Sequence, residues 1–287
     1  MSHQIKTLTV LGTGVLGSQI AYQAAFHGFA VTAYDVTDEA LEHARTRIAQ
    51  LAPVYVADKV AGATAESTEA AANGIRYSSD LAQAVADADL VIEAAPESID
   101  IKRDLYQRLA EAAPQKTIFA TNSSTLLPSD LKDFTGRADR FLALHYANQV
   151  WRQNTAEIMG TTDTDADVYR SVVDFAERSG LVPIELKKEK AGYVLNSLLV
   201  PLLNAAAGLV LQGIADPETV DKTWRIGTGA PVGPFQIYDV VGLTTAYNIA
   251  SANPEPGSQA WAAYLKTNFI DQGKLGVATG EGFYTYN

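Results

Sequence analysis

Val10-Leu11-Gly12-Thr13-Gly14-Val15-Leu16-Gly17, with an aspartate following at Asp35, is the stretch that decides the fold of this chain. Residues 8–11 form an apolar run that predicts a buried strand. Ser18 to His27 predict a helix with small residues on its inner side. Gly12 permits a tight strand-to-helix turn, Gly14 lets backbone approach a pyrophosphate, and Gly17 lets helix and strand pack closely. Val15 and Leu16 open the helix, whose unpaired N–H groups and positive dipole end suit phosphates. Asp35 ends a second predicted strand, 30–34. A carboxylate there accepts hydrogen bonds from a ribose diol and repels a 2′-phosphate, so NAD is expected rather than NADP. The glycines alone are a weak signal; strand, turn, helix, strand and acid in register are a specific one.

The 287 residues suffice for one large domain or two ordinary ones, and 47% hydrophobic against 19% charged residues describe a well-cored globular chain. The absence of cysteine excludes disulfides, thiol nucleophiles and cysteine metal sites. It suits a reducing cytosol, so a cytoplasmic location is expected, and no metal site is. A net charge of −11 without a basic cluster excludes a nucleic-acid partner, which needs a cationic face. The first strand begins near Ile5, which leaves no room for a signal peptide. Residues 191–215 carry no charge but do carry Asn196, Ser197, Pro201, Asn204 and Gln212. They predict a helix buried in a domain or subunit interface rather than a membrane span.

Alternating signals place strands at 5–11, 30–34, 75–77, 89–94 and 117–121, with helices at 15–27, 38–51, 81–86 and 98–112. A further helix at 53–72 is expected to complete a hairpin. Such alternation predicts an α/β fold with a doubly wound, mainly parallel sheet. More strands are expected at 141–145, 155–159 and 181–186, around a helix at 164–179. Strand signals stop there. Asp216-Pro217 is a helix start, and Pro234 opens another helix. The expected architecture is a Rossmann-type domain over residues 1–186 followed by an all-α domain over 187–287. The uncharged helix at 192–212 is a candidate for either a dimer contact or an intradomain core.

Of four histidines, His3 sits in a disordered-looking terminus, His27 ends the first helix and His43 lies on a polar helix side. His145 differs, because it ends the apolar strand Phe141-Leu142-Ala143-Leu144 at the carboxyl edge, where open α/β sheets bind ligands. Glu157 lies inside the next strand candidate, where a charge needs a partner or a function. Antiparallel pairing of these strands brings Glu157 to the imidazole, giving either an oriented acid/base or a structural hydrogen bond. Thr121-Asn122-Ser123-Ser124-Thr125 follows another apolar strand and reads equally as substrate-orienting groups or as turn and cap residues. Asn196 is an amide within the uncharged helix, for which a core hydrogen bond is the ordinary explanation.

These residues together resemble the short-chain L-3-hydroxyacyl-CoA dehydrogenases, a family that includes 3-hydroxybutyryl-CoA dehydrogenases. The resemblance covers nearly the whole chain. It runs through the glycine turn, Asp89-Leu90-Val91-Ile92-Glu93-Ala94-Ala95-Pro96-Glu97, Thr121 to Ser124, and His145-Tyr146-Ala147-Asn148. It continues in Val194-Leu195-Asn196 with Pro201, in Pro231 to Phe235 and in Gly276 to Tyr284. The intervals from Ser124 to His145 and from His145 to Glu157 are also similar to the family's. What the resemblance implies is an NAD-dependent, reversible oxidation of a 3-hydroxyacyl-CoA, in fatty acid metabolism, by a homodimer. His145 would take the C3 hydroxyl proton while hydride leaves C3. Glu157 would orient His145, and Ser124 and Asn196 would hydrogen-bond substrate oxygens. Glu97, Lys102, Asn122 and Asn148 match family positions near the nicotinamide ribose and active site; Lys102 also reads as a solvated helix residue.

The chain departs from the family pattern at several points. Ala147 and Gln149 break the usual aromatic and proline run after the histidine. Val150-Trp151-Arg152-Gln153 replaces a proline- and methionine-rich loop. Ser197 stands where an arginine is usual, and the hairpin that contacts CoA offers Lys59 and little else. A dehydrogenase of a free hydroxy acid such as L-gulonate or carnitine is therefore a same-fold alternative, with Arg152 as a carboxylate clamp and Trp151 stacking on a cation, although Arg152 reads equally as a plain surface residue. A non-catalytic NAD-binding protein is a remoter one.

Overall fold

The computed structural model describes residues 4–286, so His3 lies outside the described residues. The chain divides into two compact units, one up to Val194 and one from Leu195 onward. The first carries, in order, β1 (Thr7–Leu11), α1 (Val15–Phe26), β2 (Ala30–Tyr34), α2 (Asp38–Ala57), α3 (Ala65–Gly74), β3 (Arg76–Ser78), α4 (Leu81–Val85) and β4 (Leu90–Glu93). Then come α5 (Ile99–Ala112), β5 (Ile118–Thr121), α6 (Pro128–Leu131), β6 (Phe141–Tyr146), β7 (Thr155–Gly160), α7 (Ala166–Arg178) and β8 (Val182–Glu185). The strands form one sheet in the order β3-β2-β1-β4-β5-β6-β7-β8. All neighbours are parallel except β6 and β7.

The near-continuous apolar strands follow from this topology, because both faces of the sheet are covered. Val10, Leu90 and Ile92 pack with Ile20 and Tyr22 of α1, Ile48 and Tyr55 of α2, and Phe175 of α7. Leu11, Val91 and Phe119 look the other way, onto Leu81 and Val85 of α4 and Leu105, Tyr106 and Leu109 of α5. The strand order reverses between β1 and β4, which makes the carboxyl ends there the natural ligand crevice. The expected doubly wound Rossmann-type sheet is therefore the observed one.

Two local expectations change. The helix predicted to break before Pro53 continues through it to Ala57, with Pro53 on the exposed side. The break falls where the backbone turns left-handed, at Lys59 (φ 56°) and Gly62 (φ 82°), and Thr64 then caps α3 in a box with Ser67. Further on, the sheet unit reaches past residue 186. Lys190 N–H contacts Met159 Sδ at 3.1 Å, Gly192 N–H donates to the Ser124 carbonyl at 3.0 Å, and Val194 N–H donates to Glu157 Oε1 at 2.9 Å. Those bonds hold the connecting segment to the first unit, and the uncharged helix begins only after it.

The second unit is helical: α8 (Leu195–Leu211), α9 (Pro217–Thr228), α10 (Pro234–Val241), α11 (Leu243–Ala252) and α12 (Pro256–Asn268). Asp216 caps α9 by accepting the Thr219 N–H at 2.7 Å, as the Asp-Pro pair predicts. Leu203, Ala206 and Ala207 of α8 pack with Phe235, Tyr238, Leu243, Trp261 and Leu265. Elsewhere on α8, Leu198 is 71% exposed, and Val200, Leu209 and Leu211 are also exposed. Among the described residues no helix is long and apolar enough to cross a membrane.

Candidate active site

The glycine turn sits at the carboxyl end of β1. Gly12 has φ 92°, and a Cβ there would lie 2.6 Å from the Ala94 carbonyl oxygen. A Cβ at Gly17 would lie 1.9 Å from the Gly12 carbonyl oxygen, so the first turn of α1 is pressed onto the strand end. Gly14 is the opposite case: its Cβ would meet no atom within 4 Å. Gly14 caps α1 without a side chain, and the first turn has no side-chain cap. The space in front of Gly14 is thus open, as close approach by a phosphate requires. Val15 is exposed, while Leu16 packs against the core.

Asp35 ends β2 beside this turn. One carboxylate oxygen accepts from Thr13 N–H at 2.8 Å and Thr13 Oγ1 at 2.6 Å, and the other from Val36 N–H at 2.8 Å. Three donors fix the carboxylate and leave acceptor capacity of the kind a ribose diol needs. Arg47 reaches from α2 to the Thr13 carbonyl at 2.8 Å, clamping the turn from behind.

Glu93, at the end of β4, is fully buried and draws four groups together. It accepts from Lys102 Nζ at 2.5 Å, Ala95 N–H at 2.7 Å, Thr121 Oγ1 at 2.7 Å and Tyr106 Oη at 3.2 Å. Lys102 is therefore no solvated helix residue: it is 1% exposed and also lies 3.7 Å from Glu97. An amphipathic helix with a lysine on its inner face looks charged-out until the buried acid opposite is found. Burial pushes the Tyr106 phenol up, and the Glu93 charge pushes it further. Glu97 accepts from Ser123 Oγ at 2.6 Å and from Thr125 N–H and Oγ1, both at 2.7 Å. Burial acts to raise its carboxyl, but those hydrogen bonds and the Lys102 charge outweigh it and hold Glu97 below the usual carboxylate range.

The turn after β5 presents Asn122 and Ser124. Asn122 Oδ1 accepts the Tyr146 N–H at 2.9 Å and so ties the end of β5 to the end of β6. The antiparallel register sets His145 opposite Glu157. Ser124 Oγ lies 3.0 Å from His145 Nε2, and His145 Nδ1 lies 3.0 Å from Glu157 Oε2. Both His145 and Glu157 are buried. A carboxylate on one ring nitrogen, with the other facing a hydroxyl, is the arrangement of an oriented acid/base. The Tyr193 ring lies flat on the imidazole, centroids 4.3 Å apart and planes 7° apart. Asn148 is exposed at the carboxyl end of β6, and Asn196 is the second residue of α8, in the other unit.

The loop after β6 does not offer a free arginine. Asp58 accepts from Arg152 Nε and Nη2 and from Trp151 Nε1, each at 2.5 Å. The guanidinium fork and the indole are both engaged by a protein carboxylate, which removes the reason for reading them as a substrate clamp. Hydrogen bonds from Arg152 and Trp151 hold Asp58 below the usual carboxylate range. Gln19 Oε1 holds the other side of the loop through the Gln149 and Val150 amides, at 2.8 and 3.3 Å.

Sequence reasoning passed over Glu93, Thr13, Gln19 and Tyr193 as site residues. Glu93 carried a readable signal, an acid ending the buried run Leu90-Val91-Ile92, by the logic applied to Glu157. Tyr193 carried none, since it lies in a connecting segment with no periodicity.

Comparison with known proteins gives the family. The chain matches the family described as 3-hydroxyacyl-CoA dehydrogenase, NAD binding domain, over residues 7–190, and the C-terminal domain of the same family over 192–286. It is 36% identical over 288 residues to the mitochondrial hydroxyacyl-coenzyme A dehydrogenase of Rattus norvegicus, covering 98% of this chain and 91% of the relative. Among solved structures, one titled for substrate-directed dual catalysis of dicarbonyl compounds by diketoreductase is 69% identical with a TM-score of 0.94, covering 99% of this chain and 100% of the other. The (S)-3-hydroxybutyryl-CoA dehydrogenase PaaH1 from Ralstonia eutropha is 28% identical with a TM-score of 0.80, covering 99% and 100%. The sheet unit with its glycine turn and the helical unit that follows it in sequence are thus shared along the full chain, which belongs to the 3-hydroxyacyl-CoA dehydrogenase family.

Proposed function

We propose that the chain catalyses the reversible NAD-dependent oxidation of a 3-hydroxyacyl-CoA to the 3-oxoacyl-CoA, with His145 as the acid/base. The observation that carries this reading is the hydrogen-bonded series Ser124–His145–Glu157 at the carboxyl edge of a family-typical sheet. Gly12, Gly14, Val15, Leu16, Gly17 and Asp35 hold the dinucleotide, and Glu97, Lys102, Asn122 and Asn148 shape the nicotinamide end. NAD, when bound, supplies the hydride acceptor. His145 Nδ1–H, donated to Glu157, leaves the Nε2 lone pair to take the proton of the substrate's 3-hydroxyl. Glu157 stays ionised and offsets the charge of the imidazolium so formed. Ser124 hydrogen-bonds the oxygen on which charge develops. The reading includes a homodimer joined through the exposed apolar residues of α8 and a cytoplasmic, fatty-acid-metabolic role.

A second reading is favoured by the 69% identical structure titled for catalysis of dicarbonyl compounds by diketoreductase: reduction of a dicarbonyl compound, tested on CoA-free ones. Loss of NADH absorbance with acetoacetyl-CoA, run beside free acetoacetate, a simple diketone, dehydrocarnitine, and L-gulonate with NAD, separates the two. Fast turnover with acetoacetyl-CoA is the expected result. Turnover only of the CoA-free compounds keeps the fold and the base but transfers the substrate class to the second reading.

A further inference from the structure

Three successive residues of the segment leaving the sheet unit grip the three members of the acid/base series. Gly192 N–H donates to the Ser124 carbonyl, the Tyr193 ring covers the His145 imidazole, and Val194 N–H donates to Glu157 Oε1. Tyr193 is 1% exposed and adopts a left-handed backbone (φ 51°), a conformation disfavoured for a bulky residue. Its hydroxyl donates to the Ser123 carbonyl at 2.8 Å, next to Ser124. A side chain held in a costly backbone state by tertiary contacts, with its ring parallel to a catalytic imidazole, is more than core filling.

Resting on the reading of His145 as the base, we propose that Tyr193 is a positioning residue for it. Its ring fixes the plane of the imidazole between Ser124 and Glu157 and favours the protonated ring. The physical cause is the negative π-face of the phenol, which attracts an imidazolium more than a neutral imidazole. The groups facing the imidazole are Glu157 from β7 on Nδ1, Ser124 from the turn after β5 on Nε2, and the Tyr193 ring on its face. Glu93 and Glu97 act on the phenol from further off. Burial pushes that phenol well up, with Glu157, Glu97 and Glu93 pushing the same way, so it stays neutral and supplies a ring rather than a proton.

The test is the titration of the His145 ring in the full-length protein, followed by two-dimensional proton–nitrogen NMR and assigned by the signal that His145→Gln removes. Tyr193→Leu removes the π-face, Tyr193→pentafluorophenylalanine keeps the shape but reverses the ring's polarity, and Tyr193→Phe keeps the ring without its anchor. The titration midpoint should fall by about half a unit to one unit in the first two variants and hold within roughly 0.2 units in the third. The alkaline limb of keto-substrate reduction should move down by the same amount, with kcat lowered about tenfold and KM little changed. An unmoved midpoint in the fluorinated variant, or an equal fall in Tyr193→Phe, overturns the proposal. Failure of the base assignment would show separately, as His145→Gln retaining turnover.

Discussion

At the Gly12–Gly17 turn the chain presents backbone, whereas at Ser124, His145 and Glu157 it presents side chains. The first region is local: a strand end and a helix start within a few residues, shaped by what glycine lacks. The second draws one group each from the β5 turn, β6 and β7, and depends on an antiparallel register to meet. The difference teaches where each kind of site is fragile. A backbone site fails when a Cβ enters it; a side-chain site fails when a partner two strands away is lost.

That contrast can be broken or sharpened by substitution, beginning with the largest effect. Lys102→Met leaves Glu93 buried with its charge unpaired behind both regions. It should cost about 3–5 kcal/mol of stability by urea unfolding, with Glu93→Gln/Lys102→Met recovering part of it. Glu157→Gln should lower kcat about 100-fold with unchanged NADH affinity, since it disturbs only the acid/base end. Gly17→Ala should lower stability by about 1–3 kcal/mol and weaken NADH binding, because the obstructing atom is the Gly12 carbonyl and not a movable side chain. Gly14→Ala meets no protein atom, so Tm should hold while the NADH dissociation constant rises about tenfold. A matched fall in Tm for the two alanine variants would mean that Gly14 serves the fold and not the ligand.

The smallest effect is in acid. Glu97 has a depressed folded value, so its stabilising contribution is present above the ordinary carboxylate range and is lost as pH falls through the lower folded value. Glu97→Gln should flatten that part of the Tm-against-pH curve by lowering Tm at neutral pH, where the contribution is present, and changing it little in acid. An unaltered acid limb would remove Glu97 from the pH account.

The same contrast explains what was legible in the sequence. The turn could be read because its requirements are local: Gly12, Gly14, Gly17 and Asp35 each occupy a position with one steric or electrostatic demand. The pairing of His145 with Glu157 could be read because a charge inside a buried strand demands a partner, and the register supplies it. Lys102 stayed open between two readings, because its partner lies on another element, and helical periodicity says nothing of a buried acid across the gap. Arg152 was equally open between clamp and surface residue, since nothing near it in sequence announces Asp58 at the end of a helix from which Pro53 was expected to split off a second. Tyr193 left no trace, because its left-handed backbone and stacking are tertiary facts in a segment without repeat or alternation.

The central claim is that acid/base chemistry belongs to His145 and cofactor binding does not. The direct test is to measure kcat with acetoacetyl-CoA and the NADH dissociation constant together in His145→Gln. The account predicts NADH binding within about twofold of the unaltered chain and a kcat about 1,000-fold lower. Full turnover in that variant, or loss of both properties together, would contradict it.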